Sequence, residues 1–305
     1  MTSRLERLVR AGTFVVTAEV VPPRSADGEA VRAQARDLVG YADAANVTDN
    51  PRASAHMSPV AGAALVATAG LEPTLQITCR DRNRLALAAD LLAGWALGAR
   101  NLFCLTGDPL SVGDEPEATA VHDLAVEDLV RMAAELRDRG RLPSGAAIDP
   151  SPRYFVGVAD VPLAPGYDPT RLERKLDAGA GFVMTQIAYD LEALGAWLEL
   201  ARARGVTERA AVIVGVAPLA SAKQARFLDE RVPGVSVPRE LIAELEEADD
   251  RAPEIGVARC VELVRGLRAL PGVAGVHVMG LGHEAGVRAV IEEAGLLPRP
   301  PAPTA

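Results

Sequence analysis

Two carboxylates stand where buried, β-rich runs break into loops: Glu19 in Thr17-Ala18-Glu19-Val20-Val21-Pro22-Pro23-Arg24, and Asp108 in Leu105-Thr106-Gly107-Asp108-Pro109. Glu19 lies in a run otherwise made of Val, Ala and Thr. A carboxylate there is costly to desolvate unless it is paired or lines a cavity, and desolvation favours the protonated acid. That is the form a general acid needs near neutral pH. The competing reading is a structural glutamate held by a cation such as Arg24. Asp108 follows a Thr-Gly step, where Gly107 would let a flat or phosphate-bearing ligand approach the backbone; an Asp after Gly also serves as a plain turn cap. Gln186, inside an apolar run, needs partners for both ends of its amide, which a heterocycle edge or a structural hydrogen bond could supply. Arg174 and Lys175 suit phosphate oxygens or a solvated helix face. The four histidines show no His-x-x-x-His spacing, so a metal centre is not expected.

These residues need a scaffold, and the chain supplies eight apolar runs: 13–21, 44–49, 73–79, 101–107, 154–160, 182–188, 210–217 and 275–281. Most are continuous rather than alternating, as in strands covered on both faces. Helical spacing lies between them. Residues 123–139 align Val126, Leu129, Val130, Ala133 and Leu136, with Gly140 as a stop. Residues 82–97 carry Leu85, Ala89 and Leu92; residues 254–268 carry Val257, Val261, Val264 and Leu267. Ser221 and Gln224 have capping-box spacing. Strand–helix alternation eight times over predicts a single (β/α)8 TIM barrel over residues 1–296. A doubly wound open sheet is the rival, weakened because no Gly-x-Gly-x-x-Gly follows the first strand. Insertions fall at 109–122 and 232–253, the second predicted to hold an extra short helix. The Pro-rich end, 297–305, is expected to be a disordered tail.

The composition is 49% apolar and 24% charged with a net charge of −9, which disfavours nucleic acid and acidic membranes as partners. No apolar stretch approaches about 18–20 residues. Cys79, Cys104 and Cys260 are sparse and unpaired in spacing, as in a reducing cytosol. A cytoplasmic protein is expected, and a homo-oligomer.

The stretches AEVVPPR, VTDNP, LTGD, RKLDAGAGFVMTQIAYD and GVAPLASAKQ together resemble the methylenetetrahydrofolate reductase family, in that family's order and over roughly residues 10–296. The resemblance implies a (β/α)8 barrel binding FAD at the strand C-termini, acting in one-carbon metabolism and methionine biosynthesis. It implies Glu19 as the acid that opens the imidazolidine ring of 5,10-methylenetetrahydrofolate, Asp108 as a contact between flavin and folate, and Gln186 as a folate ligand. Thr48, Asp49, Gly107, Asp168, Arg174 and Lys175 fall at flavin-site positions. The implied reaction is hydride transfer from reduced flavin to the folate methylene carbon, giving 5-methyltetrahydrofolate.

The chain also departs from the pattern. Val20-Val21 replaces Phe-Phe, Gln76 a histidine, Thr106 an arginine, Asp160 a flavin-site tyrosine, Ala222 an aromatic residue, and His283 an arginine linked to substrate. Loss of the aromatic platform removes contact that a nicotinamide would need. The expectation is therefore folate reduction with NAD(P)H use weakened, or replaced by an electron-donor protein. The rival readings are a catalytically silent folate- or flavin-binding subunit of a larger one-carbon complex, and a flavin-free barrel enzyme acting on a pterin or corrinoid methyl group.

Overall fold

Strands made of Val, Ile and Leu on both faces must be covered on both faces, and a closed parallel barrel wrapped in helices does this. A computed structural model of the protein describes residues 2–303. A short helix, α1 (Arg4–Arg10), precedes β1 (Val15–Val20), α2 (Gly28–Leu38), β2 (Ala44–Val47), α3 (Pro59–Thr68), β3 (Pro73–Thr78), α4 (Arg84–Ala96) and β4 (Asn101–Leu105). Then follow α5 (Val126–Arg139), β5 (Phe155–Asp160), α6 (Pro169–Asp177), β6 (Phe182–Ile187), α7 (Leu191–Ala203), the one-turn α8 (Val206–Arg209) and β7 (Ala211–Val216). The chain completes with α9 (Ala222–Arg231), α10 (Arg239–Ala248), α11 (Ala252–Ala269), β8 (Val273–Val278) and α12 (Glu284–Glu293). All eight strands are parallel and in chain order, and β8 pairs back onto β1 with Thr17 opposite His277. The TIM barrel expected from the alternating runs is the observed fold.

Alternation along each strand divides the residues into two layers. Val16, Ala18 and Val20 join Leu75, Ile77, Val156 and Val214 beneath the helices. Val15, Ala44, Phe103, Phe155, Phe182, Met184 and Ile213 form the cluster inside the barrel, which Leu5 and Leu8 of α1 plug from below. Phe182 fills the centre, 4.9 Å from the Phe155 ring and 6.1 Å from Phe103. Position 157 must be glycine for this, since a Cβ there would lie 2.1 Å from the Phe182 ring. Glu72 ties the plug down by accepting from the Arg4 and Leu5 amides at 2.5 and 2.9 Å.

Helix stripes follow the expected pattern on α5 and α11, and the insertion at 232–253 contains α10. On α4 the phase differs. Leu85 is 78% exposed and the buried face is Leu87, Ala88, Leu91 and Gly94, because the helix starts at Arg84 with Asn83 as its cap. At α9, Ser221 accepts from the Gln224 amide as the capping box requires, but Gln224 Oε1 accepts from Ala220 rather than from Ser221.

The Pro-rich end is not a loose tail over its described part. Arg299 is buried against Asp43, donating to it at 2.5 Å and to the Phe14 carbonyl at 2.8 Å. Arg4 donates to Asp43 at 3.0 Å and to the Pro300 carbonyl at 2.5 Å, and Ala302 packs on the interior cluster. A buried carboxylate claims these cations whatever the surrounding composition. Thr304 and Ala305, also assigned to the tail, lie outside the described residues. Arg299→Ala should lower the free energy of unfolding by about 2 kcal/mol, the scale of lost hydrogen bonds to a charged group, as read by urea denaturation.

Candidate active site

The strand C-termini open onto a mouth where the interior-facing positions turn polar. Glu19, next to last on β1, keeps 20% of its side chain exposed. Its neighbour across the barrel closure is His277, whose Nε2 lies 3.7 Å from Glu19 Oε1 and whose Nδ1 lies 2.9 Å from Thr17 Oγ1. Thr17 thereby holds the imidazole edge-on to the carboxylate. Arg24 does not hold Glu19; it pairs with Asp114. A second carboxylate went unnoticed in the sequence. Glu284, first residue of α12, lies over Gly280, where a Cβ would sit 2.2 Å from its Oε2. Burial and then the charge of Glu19 raise its pKa. Only the Gly-x-Gly spacing of Gly280 and Gly282 hinted at it.

Three cavities that share lining residues open at the mouth, two of them onto Glu19. The first, about 480 Å³, is lined by Glu19, Thr48, Asp49, Gln76, Thr106, Gly107, Asp108, Asp160, Asp168 and Lys175. A second, about 460 Å³, shares Thr106, Arg171 and Lys175 with it and adds Arg174. A third, about 550 Å³, shares Glu19, Thr48 and Pro51 and reaches Arg52, His56 and Glu284. Each falls within the usual volume range of a ligand site, about 300–1,000 Å³.

The predicted residues play unequal parts. Thr48 is buried at the junction with no hydrogen-bond partner for its Oγ1. Asp49 is fully engaged, accepting from the Thr78 amide at 2.7 Å, from Thr78 Oγ1 at 2.9 Å and from Arg82 at 2.7 and 3.1 Å. It braces the cavity wall. Gly107, at φ +94°, makes room for the buried Arg80, since a Cβ would lie 2.9 Å from Arg80 Cβ. Asp108 is exposed and accepts from the Arg52 amide at 2.8 Å. That bond secures a loop in which Asn50, Arg52 and Ala53 all have positive φ, a costly arrangement for three non-glycine residues.

Asp160 is buried at the end of β5, accepting from the Tyr167 hydroxyl at 2.7 Å, and burial raises its pKa despite Tyr167 and nearby Lys175. Lys175 donates to the Ala159 carbonyl at 2.6 Å and is pushed down by burial. The attraction between the two does not recover the desolvation of either. Asp168 caps α6 with Oδ1, which accepts twice from Thr170, and no bond to Oδ2 is made among the described residues. The Thr170 bonds lower its pKa. Arg174 pairs with Glu127 at 3.6 Å in the wall of the second cavity.

Gln186 and His283 line none of the three cavities. Gln186 sits at a bulge in β6, its Oε1 accepting from the adjacent Ile187 amide at 3.0 Å. The His283 ring packs at Gly286, where a Cβ would lie 2.3 Å from Cδ2. Among the described residues there is no group of three or more side chains suited to a metal, and no helix long and apolar enough to cross a membrane.

Fold and mouth together define a parallel (β/α)8 barrel whose strand C-termini open onto cavities lined by several carboxylates. The family model for methylenetetrahydrofolate reductase matches residues 4–295, and the chain belongs to that family. Among relatives, it is 27% identical over 316 residues to a probable methylenetetrahydrofolate reductase (NADPH) of Caenorhabditis elegans, covering 96% of this chain and 44% of that protein. It is likewise 27% identical to the 5,10-methylenetetrahydrofolate reductase of Escherichia coli, covering 60% of this chain and 56% of that protein. The matches thus span about half the length of these relatives. Among solved structures, an uncharacterized protein from Clostridium thermocellum that binds two copies of 5-methyl-5,6,7,8-tetrahydrofolic acid shares the fold, with a TM-score of 0.61, 12% identity and coverage of 96% of this chain and 98% of that one.

The buried Asp160 gives a pH test. Its folded pKa is raised, so the native state binds the proton more tightly than the unfolded chain and stability falls as pH rises from about 4, the unfolded Asp value, through the folded one. Asp160→Asn removes that dependence. Urea unfolding should show the variant gaining on the wild type between pH 4 and pH 7.

Proposed function

We propose that the protein reduces 5,10-methylenetetrahydrofolate to 5-methyltetrahydrofolate, using FAD held at the barrel mouth. The observation that carries this reading is Glu19, the interior-facing carboxylate at the end of β1, shared by two cavities and backed by His277. Membership of the family supports it. The residues of the first two cavities fit a flavin dinucleotide. Thr48 Oγ1 is buried without a partner, as a hydrogen-bonding ring edge would require. Asp168 Oδ2 is open to a ribityl or ribose hydroxyl, and Arg171 and Lys175 stand where phosphates need cations. Bound flavin would supply the hydride, which no ordinary side chain can donate.

The protein's own part is proton delivery and positioning. Glu19, facing the cavity, would give a proton to the folate N10, so that the imidazolidine C–N10 bond breaks and the N5 side becomes an electrophilic iminium. His277, fixed by Thr17, borders the Glu19 carboxylate at 3.7 Å and limits where it can turn. Asp49, locked by Thr78 and Arg82, keeps the wall rigid, which limits misalignment of the reacting atoms.

The immediate electron donor is proposed to be other than NADH, such as a partner protein. Ala222 is buried in the packing of α9 and offers no aromatic face. Rapid stoichiometric reduction of the bound flavin by NADH would refute this.

Purified protein, reconstituted with FAD, should show a flavin spectrum and oxidise 5-methyltetrahydrofolate with an artificial acceptor. Glu19→Gln should reduce folate turnover by about 10²–10⁴-fold, the range for a lost general acid, while direct chemical reduction of the flavin continues. A protein that stays colourless after reconstitution would overturn the FAD assignment.

A further inference from the structure

A line of polar side chains crosses the barrel interior below Glu19, and the chemistry above makes no use of it. Strand register draws the line. Glu19 on β1 is the lateral partner of Asn46 on β2, Asn46 of Thr74 on β3, and Thr74 of Asn101 on β4. Lateral partners in a sheet lie about 4.8 Å apart and face the same side. All four therefore point into the barrel, as Ala44 and Phe103 on the same strands do. Because the strands tilt against the barrel axis, the line also descends. Glu19 is next to last on its strand, Asn46 third of four, Thr74 second and Asn101 first. The line ends at Glu72, half-buried where α1 meets the floor, whose Oε1 accepts from Asn101 Nδ2 at 2.9 Å.

Asn46, Thr74 and Asn101 are fully buried, yet Asn46 Oδ1, Thr74 Oγ1 and Asn101 Oδ1 have no hydrogen-bond partner among the described residues. Each such oxygen costs stability in a dry core. Hydrocarbon would fit this interior, as Phe155, Phe182, Met184 and Ile213 do on β5 to β7. The Asn46 amide nitrogen already reaches that apolar half, 3.3 Å from Met184 Sδ, which leaves its oxygen to another partner. Water is the ligand that suits the line. It is small, it can donate to all three acceptors, and a buried molecule needs about two to four polar partners. The other branch from Glu19 is closed, since His277 meets Thr17, whose partner on β2 is Ala44.

We propose that Asn46, Thr74 and Asn101 hold a string of internal water that carries protons between Glu19 and the barrel floor at Glu72. This rests on the reading of Glu19 as the general acid. Each reduction takes the Glu19 proton to N10, and the carboxylate must regain one before the next. Its side chain is only 20% exposed with the mouth open, and substrate and cofactor cover it further. Water at Asn46 gives a proton to Glu19 and is resupplied through the Thr74 hydroxyl, which accepts one proton and passes on another. The last water of the string draws on solvent beside Glu72. One proton enters per turnover and no electrons move; in methylfolate oxidation the same path carries the proton out. Asn46 and Thr74 are positioning residues, since they act through the water they hold.

Two measurements on the full chain test this. A high-resolution crystal structure should show ordered water within about 3.2 Å of Asn46 Oδ1 and Thr74 Oγ1, and Thr74→Val should lose the water at its position. The second is methylfolate oxidation by the FAD-reconstituted protein with an artificial acceptor. Thr74→Val and Asn46→Leu should reduce the bound flavin at the wild-type rate in the first turnover. Steady-state turnover should then fall about tenfold, the rate equivalent of one lost hydrogen bond, with a larger solvent deuterium isotope effect. Thr74→Ser, which keeps the hydroxyl, should retain most of the wild-type turnover. A dry line in the wild type, or unchanged steady-state turnover in both apolar variants, would overturn the relay and leave the reductase reading standing. Equal slowing of the first and later turnovers would mark a structural role and overturn the relay as well. Ordered water in a wild type that never oxidises methylfolate would overturn the reductase reading, and the relay with it, leaving only the water site.

Discussion

Pairing of β8 with β1 closes the barrel, and the arrangement of the mouth depends on it. In an open sheet Thr17, Glu19 and His277 would lie on opposite edges, separated by six strands. Closure sets Thr17 directly opposite His277, and the two-residue repeat then places Glu19 one step further toward the mouth on the same face. The hydroxyl, imidazole and carboxylate are adjacent because of strand register alone. No loop needs to order for them to meet.

Closure also fixes where polarity is tolerated. The lower interior is aromatic and aliphatic, plugged by α1. Along the strands Asn46 and Thr74, and at the mouth Thr48, each keep a buried oxygen without a partner among the described residues. Such groups are costly unless water or a ligand completes them. Charge gathers at both ends of the barrel, with Asp43, Arg4 and Arg299 below and Glu19, Glu284 and Lys175 at the mouth, and the packed interior lies between them. Asp160 at the end of β5 and Lys175 on α6 are both shifted by burial, the acid upward and the amine downward.

How much of this was legible in the sequence varied with how local each cause was. Strands rich in Val and Ile reveal themselves, and a carboxylate among them, as at Glu19, is conspicuous for the same reason. The periodicity of α5 and α11 was equally plain. Leu85 misled because a leucine near a helix start completes an apolar pattern without lying on the buried face. Glu284 could not be recognised, since its setting depends on packing over Gly280. Asp108 was read as a ligand contact, yet its partner is a backbone amide in a left-handed loop that no residue type announces. Arg299 was masked by the prolines around it, because composition suggests mobility while a single buried carboxylate 256 positions earlier dictates order.

That last contact also bears on how the molecule is made. Asp43 lies beneath β1 and β2, yet Arg299, one of its two cationic partners, follows it by 256 positions along the chain. Contacts so distant along the chain form late, because loop closure precedes any gain from the contact. During synthesis the N-terminal strands thus have a floor that only Arg4 can neutralise, and β1 has no β8 to pair with. The half-made barrel exposes an unpaired strand edge above an incompletely balanced charge until the C-terminal segment arrives and locks both. The segments before β1 and after α12 act together as the latch of the fold, both held at Asp43.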